Sequence, residues 1–283
     1  MSKSRGLSVL LAVVIWPFLT SNSSLGQTLN CLDSTASENP AAQHELDEGI
    51  EAYRNATYAE AISHFQKATD LAPCMIAARR YLATAQAQNV VPALSTPDNL
   101  KTAEQAIANF QLVLAQDLHD INSLKQVAGI YFNTNRLDQA REWQKKVLTE
   151  DPHDPEAAYT IGVIDWTKAH LNALTALKTV GLMDNGEGNS KAPPEILSAI
   201  RAQNSALIAE AMQYLTQAIA DRPNYADAMA YLNLVYRRKA DTDYDNPALR
   251  VEDVATAKEW NRKSMAARPE NDKGANTDSS QPQ

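Results

Sequence analysis

Residues 121–155 read INSLKQVAGIYFNTNRLDQAREWQKKVLTEDPHDP, and this stretch decides the fold. It contains two segments with the apolar spacing of amphipathic helices, separated by a polar turn and closed by prolines. Small residues recur within it, because Ala140 follows Ala128 by twelve positions. A small side chain at each position allows two helices to approach closely. The stretch therefore predicts a pair of packed antiparallel helices.

The spacing resembles that of a tetratricopeptide repeat (TPR), whose unit is about 34 residues long. The residues that carry the resemblance in this stretch are Ala128, Tyr131, Ala140, Val147 and Pro152. The next unit shows Tyr159, Ile161 and Gly162 at the expected places, and the best match is formed by Gly49, Ala61, Phe65, Ala68 and Pro73. The resemblance implies a solenoid of stacked helix pairs that binds other proteins.

The predicted fold is all-α, a right-handed solenoid of about five helix pairs over residues 41–269. The units are expected at about 42–75, 76–120, 121–154, 155–225 and 226–269, with insertions in the second, fourth and fifth. The fourth insertion, about 168–205, is expected to form a long helical hairpin that projects by about 20 Å at a rise of about 1.5 Å per residue. Residues 27–40 are expected to form a flexible lead and 270–283 a disordered tail, since both are polar.

Composition supports an all-helical, acidic protein. The chain has 283 residues, 44% of them hydrophobic, which is enough for a core, and only 9 glycines. The net charge of −8 makes the chain a poor counterion for phosphate. Nucleic acid is therefore not an expected partner.

The first 26 residues have the pattern of a secretory signal peptide. Lys3 and Arg5 precede a 14-residue apolar run and a polar stretch. The run is shorter than the roughly 20 residues that span a bilayer, and Pro17 interrupts it, so no permanent membrane span is expected. We expect cleavage near Gln27 and a periplasmic or secreted protein. Lipidation at Cys31 is not expected, because TLN before this cysteine lacks the small residue of a lipoprotein signal.

Export places the two cysteines in an oxidising compartment, where Cys31 and Cys74 can form a disulfide. Closing a loop of this length contributes about 4 kcal/mol in the chain-entropy model. In the alternative interpretation, Cys74 is a small buried residue at the start of a helix. The sequence leaves both open.

The resemblance implies a peptide-binding groove, because the first helix of each unit lines the concave face in TPR proteins. Aromatic and basic side chains at the inward positions suit an extended peptide or an acidic segment. About a third of these residues are expected to be buried between helices instead. The groove candidates are Tyr53, Arg54, Arg80, Tyr81, Lys125, Phe132, Asn133, Tyr159, Trp166, Tyr231, Arg237 and Arg238.

An alternative function is calcium binding. Asp241, Asp243 and Asp245 alternate, and Glu252 follows Asp241 by eleven positions, which is the carboxylate spacing of a twelve-residue calcium loop. Asn246 stands where such a loop needs glycine. In the competing interpretation the segment is an acidic turn, and Asn246 caps a helix that begins at Pro247.

The hairpin insertion is a second candidate for partner binding. Apolar residues recur at helical spacing on both of its arms, either to bind a partner or to close the hairpin on itself. These residues are Leu171, Leu174, Leu177, Ile196, Ile200 and Leu207. The sequence does not decide between the groove and the hairpin.

Catalytic motifs are absent from the sequence. The five histidines are scattered without an HExxH pattern, and neither a phosphate loop nor a nucleophile elbow appears. The sequence therefore favours a non-catalytic scaffold without a cofactor, which binds a protein or peptide of unknown identity. An enzyme whose site is assembled from the insertions is the least favoured hypothesis.

Overall fold

The computed structural model describes residues 39–268. The predicted leader, Cys31, most of the predicted lead and the predicted tail lie outside this range. The described residues form ten α-helices: α1 Pro40–Arg54, α2 Tyr58–Leu71, α3 Ile76–Gln88, α4 Pro97–Leu114, α5 Ile121–Asn133, α6 Leu137–Glu150, α7 Pro155–Lys178, α8 Pro194–Asp221, α9 Ala226–Thr242 and α10 Pro247–Ala267.

The helices pack as successive pairs, and each pair stacks on the next. The first helices of neighbouring units contact each other more than the second helices do. These contacts join α1 with α3, α3 with α5, and α7 with α9. The first helices therefore form the inner face of the stack. The prediction of an all-helical solenoid with insertions is confirmed.

Small residues allow the two helices of a unit to approach each other. A Cβ atom on Gly49 would lie 2.5 Å from the ring of Phe65, and one on Gly162 would lie 2.5 Å from Cγ of Leu215. Ala83 and Ala128 are fully buried at the equivalent positions of the second and third units. Larger side chains at these positions would force the helices apart.

Side-chain caps and short turns set the ends of the helices. Asp120 accepts a hydrogen bond from the amide of Ser123 at the start of α5, and Asp154 accepts two, from the amides of Glu156 and Ala157. Asn246 caps α10 by accepting from the amide of Leu249, as the competing interpretation of the acidic segment expected. The turn between α1 and α2 places Ala56 in the left-handed region at φ 57°.

The hairpin of the fourth unit is formed by α7 and α8, which have 24 and 28 residues. Leu177 and Ile200 are fully buried and pack together in one cluster, so these residues close the hairpin on itself. Leu171 and Leu174 remain exposed by 52% and 38%. None of the described helices is long and apolar enough to cross a membrane.

The hairpin is held by contacts with the fifth unit. Its connecting loop, residues 179–193, packs against α9, and Arg201 of α8 forms an ion pair with Asp245 in the turn between α9 and α10. The Arg201 guanidinium also lies over the ring of Tyr244, 4.5 Å from its centre. The insertions of the fourth and fifth units therefore support each other.

Candidate functional site

The inner face carries a cluster of rings where α7 meets α9. This aromatic cluster consists of Tyr159, Trp166 and His170 of α7, Tyr225 just before α9, and Tyr231 of α9. Tyr159 lies 5.0 Å from Tyr225 and meets Tyr231 edge to face at 5.6 Å between ring centres. Trp166 meets Tyr231 edge to face at 5.3 Å and stacks on His170 at 5.0 Å. All five rings are half-buried, so each keeps some surface toward solvent.

Burial raises the pKa values of the tyrosine hydroxyls in this cluster above that of free tyrosine. It raises the pKa of Tyr225 to about 12, and it raises those of Tyr159 and Tyr231 as well. The carboxylate of Asp227 raises the pKa of all three by its negative charge. At neutral pH the cluster offers neutral rings and hydroxyls, with the negative charge of Asp227 near them and the positive charge of Arg222 over Tyr225.

The groove candidates of the first three units are more dispersed. Tyr53 packs on Tyr58, and Tyr81, which is 38% exposed, stacks on the buried ring of Phe65 at 5.4 Å. Phe132 is 37% exposed near the end of α5. Arg54 is exposed, and the carbonyl of Asn133 accepts a hydrogen bond from the amide of Ala93 in the second insertion.

Two of the predicted basic groove residues are paired with caps of the next unit. Arg80 of α3 lies 3.0 Å from Asp120, and Lys125 of α5 forms an ion pair with Asp154. Burial opposes ionisation of Asp154, but hydrogen bonds from Lys125 and from the first amides of α7 outweigh it and lower its pKa. These two cations therefore join successive units, and part of their charge is already neutralised.

Arg238 is not on the groove surface, so this prediction is wrong. The side chain is only 3% exposed and lies between Asp184 of the hairpin loop, at 2.6 Å, and Asp241 of its own helix, at 2.9 Å. Asn189 donates hydrogen bonds to both carboxylates, at 3.0 and 2.8 Å. Arg237, which precedes Arg238 in the chain, donates a hydrogen bond to the carbonyl of Gly186. The two arginines hold the hairpin loop against α9.

The same contacts account for the alternating carboxylates, and the structure gives the calcium interpretation no support. Asp241 is buried within α9, and burial raises its pKa to about 6. Asp243 pairs with Lys239 at 2.6 Å, Asp245 pairs with Arg201 at 2.9 Å, and Glu252 is exposed on α10. Within residues 39–268 there is no group of three or more histidine, cysteine or acidic residues that could hold a metal ion.

Cys74 is half-buried in the turn between α2 and α3. Its proposed disulfide partner, Cys31, lies outside the described residues, so the bond stays a prediction.

Sequence reasoning missed two residues of the aromatic region, Tyr225 and Asp227. Both lie near the start of α9, and neither was among the groove candidates. Tyr225 precedes the first helix of its unit as Asp154 precedes α7, and that equivalence was the available signal.

Comparison with known proteins supports the repeat interpretation. The tetratricopeptide repeat family model matches residues 126–154. A crystal structure of MamA protein is 12% identical, with a TM-score of 0.51, and the match covers 80% of this chain and 94% of MamA. MamA from Desulfovibrio magneticus RS-1, from residue 41 to its end, is also 12% identical, with a TM-score of 0.51 and coverage of 79% and 97%.

YrrB, a TPR protein with an unusual peptide-binding site, is 13% identical, with a TM-score of 0.50 and coverage of 81% and 92%. No curated protein sequence matches the chain. At these identities the likeness concerns the fold. The chain contains a tetratricopeptide repeat and folds as a TPR solenoid.

Proposed function

We propose that this protein is a non-catalytic scaffold whose inner face binds an extended segment of a partner protein. The observation that carries the proposal is the aromatic cluster between α7 and α9. Half-buried aromatic side chains supply most of the binding energy at many protein interfaces, because they bury a large area at little entropic cost. Peptide binding by YrrB, a protein of the same fold, is consistent with this role.

The perturbed carboxylates fit structural roles better than catalytic ones. Burial raises the pKa of Asp165, Asp241 and Asp253 to about 6. Each of these carboxylates has a cation beside it, at 2.9 Å or less: Arg141 for Asp165, Arg238 for Asp241 and Lys239 for Asp253. Ion pairs within α9 and between neighbouring helices account for these groups without a reaction.

We also propose that the protein acts after export, on the strength of the predicted leader. Amino-terminal sequencing of the protein purified from its source cells tests this proposal. A mature chain that begins near Gln27 supports export, and soluble protein that retains Met1 contradicts it.

Photo-crosslinking tests partner binding by the inner face. Benzoylphenylalanine replaces Phe132, an exposed ring of α5, and in a second variant it replaces Leu71, which is 47% exposed on the second helix α2. The full-length protein is irradiated in extract from its source cells, and adducts are identified by mass spectrometry. We expect a discrete adduct from position 132 that is absent from position 71. The same adducts from both positions, or none from position 132, would contradict the proposal.

A further inference from the structure

We infer that the partner segment inserts a positively charged side chain, lysine or arginine, into the aromatic cluster beside Asp227. This inference rests on the proposed function, because it specifies what the inner face selects. Three observations support it: a carboxylate without a cation, a filled version of the same arrangement next to it, and the pairing of three of the five basic groove candidates with carboxylates.

Asp227 is the carboxylate without a cation. It is exposed, it is the second residue of α9, and it precedes Tyr231 by one helical turn on the same side of the helix. Among residues 39–268 it has no ion-pair partner, whereas each of the four buried aspartates in this range has one. Its charge reaches the rings of Tyr159, Tyr225 and Tyr231.

The neighbouring ring shows how the chain itself holds a cation. The guanidinium of Arg222 lies over Tyr225, 4.5 Å from the ring centre, and donates to the carboxylate of Glu156 at 3.1 Å. A cation is thus held between an aromatic face and a carboxylate. Tyr159, Tyr231 and Asp227 offer the same two components without the cation.

The orientation of the rings suits a cation as well. Tyr231 meets both Tyr159 and Trp166 edge to face. In an edge-to-face pair the edge of one ring rests on the face of the other, so the ring that supplies the edge keeps both of its own faces free of that contact. The negative face of a ring attracts a lysine or arginine head group, and a nearby carboxylate strengthens that attraction.

An acidic partner segment is disfavoured by the remaining charges of the inner face. Arg80 and Lys125 pair with Asp120 and Asp154, and Arg238 is buried between two carboxylates. The net charge of −8 repels an acidic segment and attracts a basic one. Of the two partners expected from the sequence, an extended peptide or an acidic segment, these charges favour an extended peptide that carries a basic residue.

Selection from a library of displayed ten-residue peptides tests the inference, with the full-length protein as bait. Peptides that bind the wild type but do not bind the Tyr231→Ala variant are those that bind the inner face. We expect lysine or arginine at one position of nearly all of them. Enrichment of acidic or of purely apolar peptides would overturn the inference while supporting the proposed function. If no peptide depends on Tyr231, both the proposed function and the inference are contradicted.

Asp227→Asn then separates charge recognition from a structural role. The best basic peptide should bind this variant about fivefold more weakly in low salt, and the difference should shrink in about 1 M salt. Asp98→Asn is the matched control, because Asp98 is also the exposed second residue of a helix, α4, and is without an ion pair in the described structure. Equal affinity of the wild type and Asp227→Asn at low salt would overturn the inference.

Discussion

Lys125 of α5 forms an ion pair with Asp154, the residue that caps α7 in the next unit. The preceding junction repeats this relationship, with Arg80 of α3 and Asp120 before α5. Arg80 and Lys125 are the fifth residues of their helices, and the fifth residue of α7 is Tyr159, which contacts Tyr225 before α9. The fifth residue of the first helix thus forms an ion pair between units in the second and third units. In the fourth unit the same position belongs to the aromatic cluster.

Replacing Asp154 should separate the cap from the ion pair. Asp154→Ala removes the acceptor of two α7 amides and the partner of Lys125, and we expect it to lower the free energy of unfolding by about 2 kcal/mol. Asp154→Asn keeps a capping oxygen and should cost less than half as much. Urea unfolding followed by circular dichroism measures both. An equal loss in the two variants would show that the charge, and not the cap, matters.

Two glycines should respond in opposite directions to the same substitution. Gly162→Ala places a Cβ atom 2.5 Å from the buried side chain of Leu215, and we expect a loss of about 1–3 kcal/mol. Gly129→Ala meets no atom within 4 Å, and it should stabilise α5 by up to about 1 kcal/mol, since alanine favours the helix. Thermal unfolding of both variants checks the pair. If both substitutions stabilise the protein, the close approach of α7 and α8 is not as described.

The junction between the insertions should depend on Arg238. Arg238→Met leaves Asp184 and Asp241 without their shared cation in a packed setting, and we expect a loss of about 3–5 kcal/mol. The control is Arg262→Met, which removes an exposed pair with Glu259 within α10 and should leave the free energy of unfolding nearly unchanged, because solvent screens the pair. Chemical unfolding measures both, and similar losses would contradict the role of Arg238.

Asp165 should make stability depend on pH. It is fully buried beside Arg141, and burial raises its pKa to about 6 in the folded protein, above its value in the unfolded chain. The folded state therefore binds the Asp165 proton more tightly than the unfolded chain does. The protonated carboxyl stabilises the fold at low pH, and this stabilisation is lost as the pH rises to about 6. The free energy of unfolding should fall by at most about 3 kcal/mol over this range. Asp165→Asn should lack this decline. Unfolding free energies of both proteins between pH 4 and pH 8 give the difference, and parallel curves would contradict the shift.

The periodic part of the molecule was predictable from the sequence, and the non-periodic part was not. The small residues at Gly49, Ala128 and Gly162 recur at repeat spacing because every unit must solve the same packing problem. The contact of Asp184 with Arg238 joins positions 54 residues apart and has no period. The alternating aspartates resembled a calcium loop partly for the same reason, because Arg201, the cation that pairs with Asp245, lies 44 residues away on α8.

The aromatic cluster was predicted in part. Tyr159, Trp166 and Tyr231 stand at repeat positions that face inward, so the resemblance identified them. The same rule failed for Arg238, because it treats the fifth unit as a regular repeat. The hairpin loop, an insertion without a repeat equivalent, covers that end of α9.

The affinity of the crosslinked partner for ring variants tests the central claim most directly. Trp166→Ala and Tyr231→Ala each remove one ring from the aromatic cluster, whereas Trp260→Ala removes a half-buried ring from the second helix α10. With folding confirmed by circular dichroism, titration calorimetry should show at least about tenfold weaker binding for the first two variants, as at interface hot spots, and less than about twofold change for the third. Unchanged affinity of Trp166→Ala and Tyr231→Ala, or an equal loss in all three, would contradict binding by the inner face.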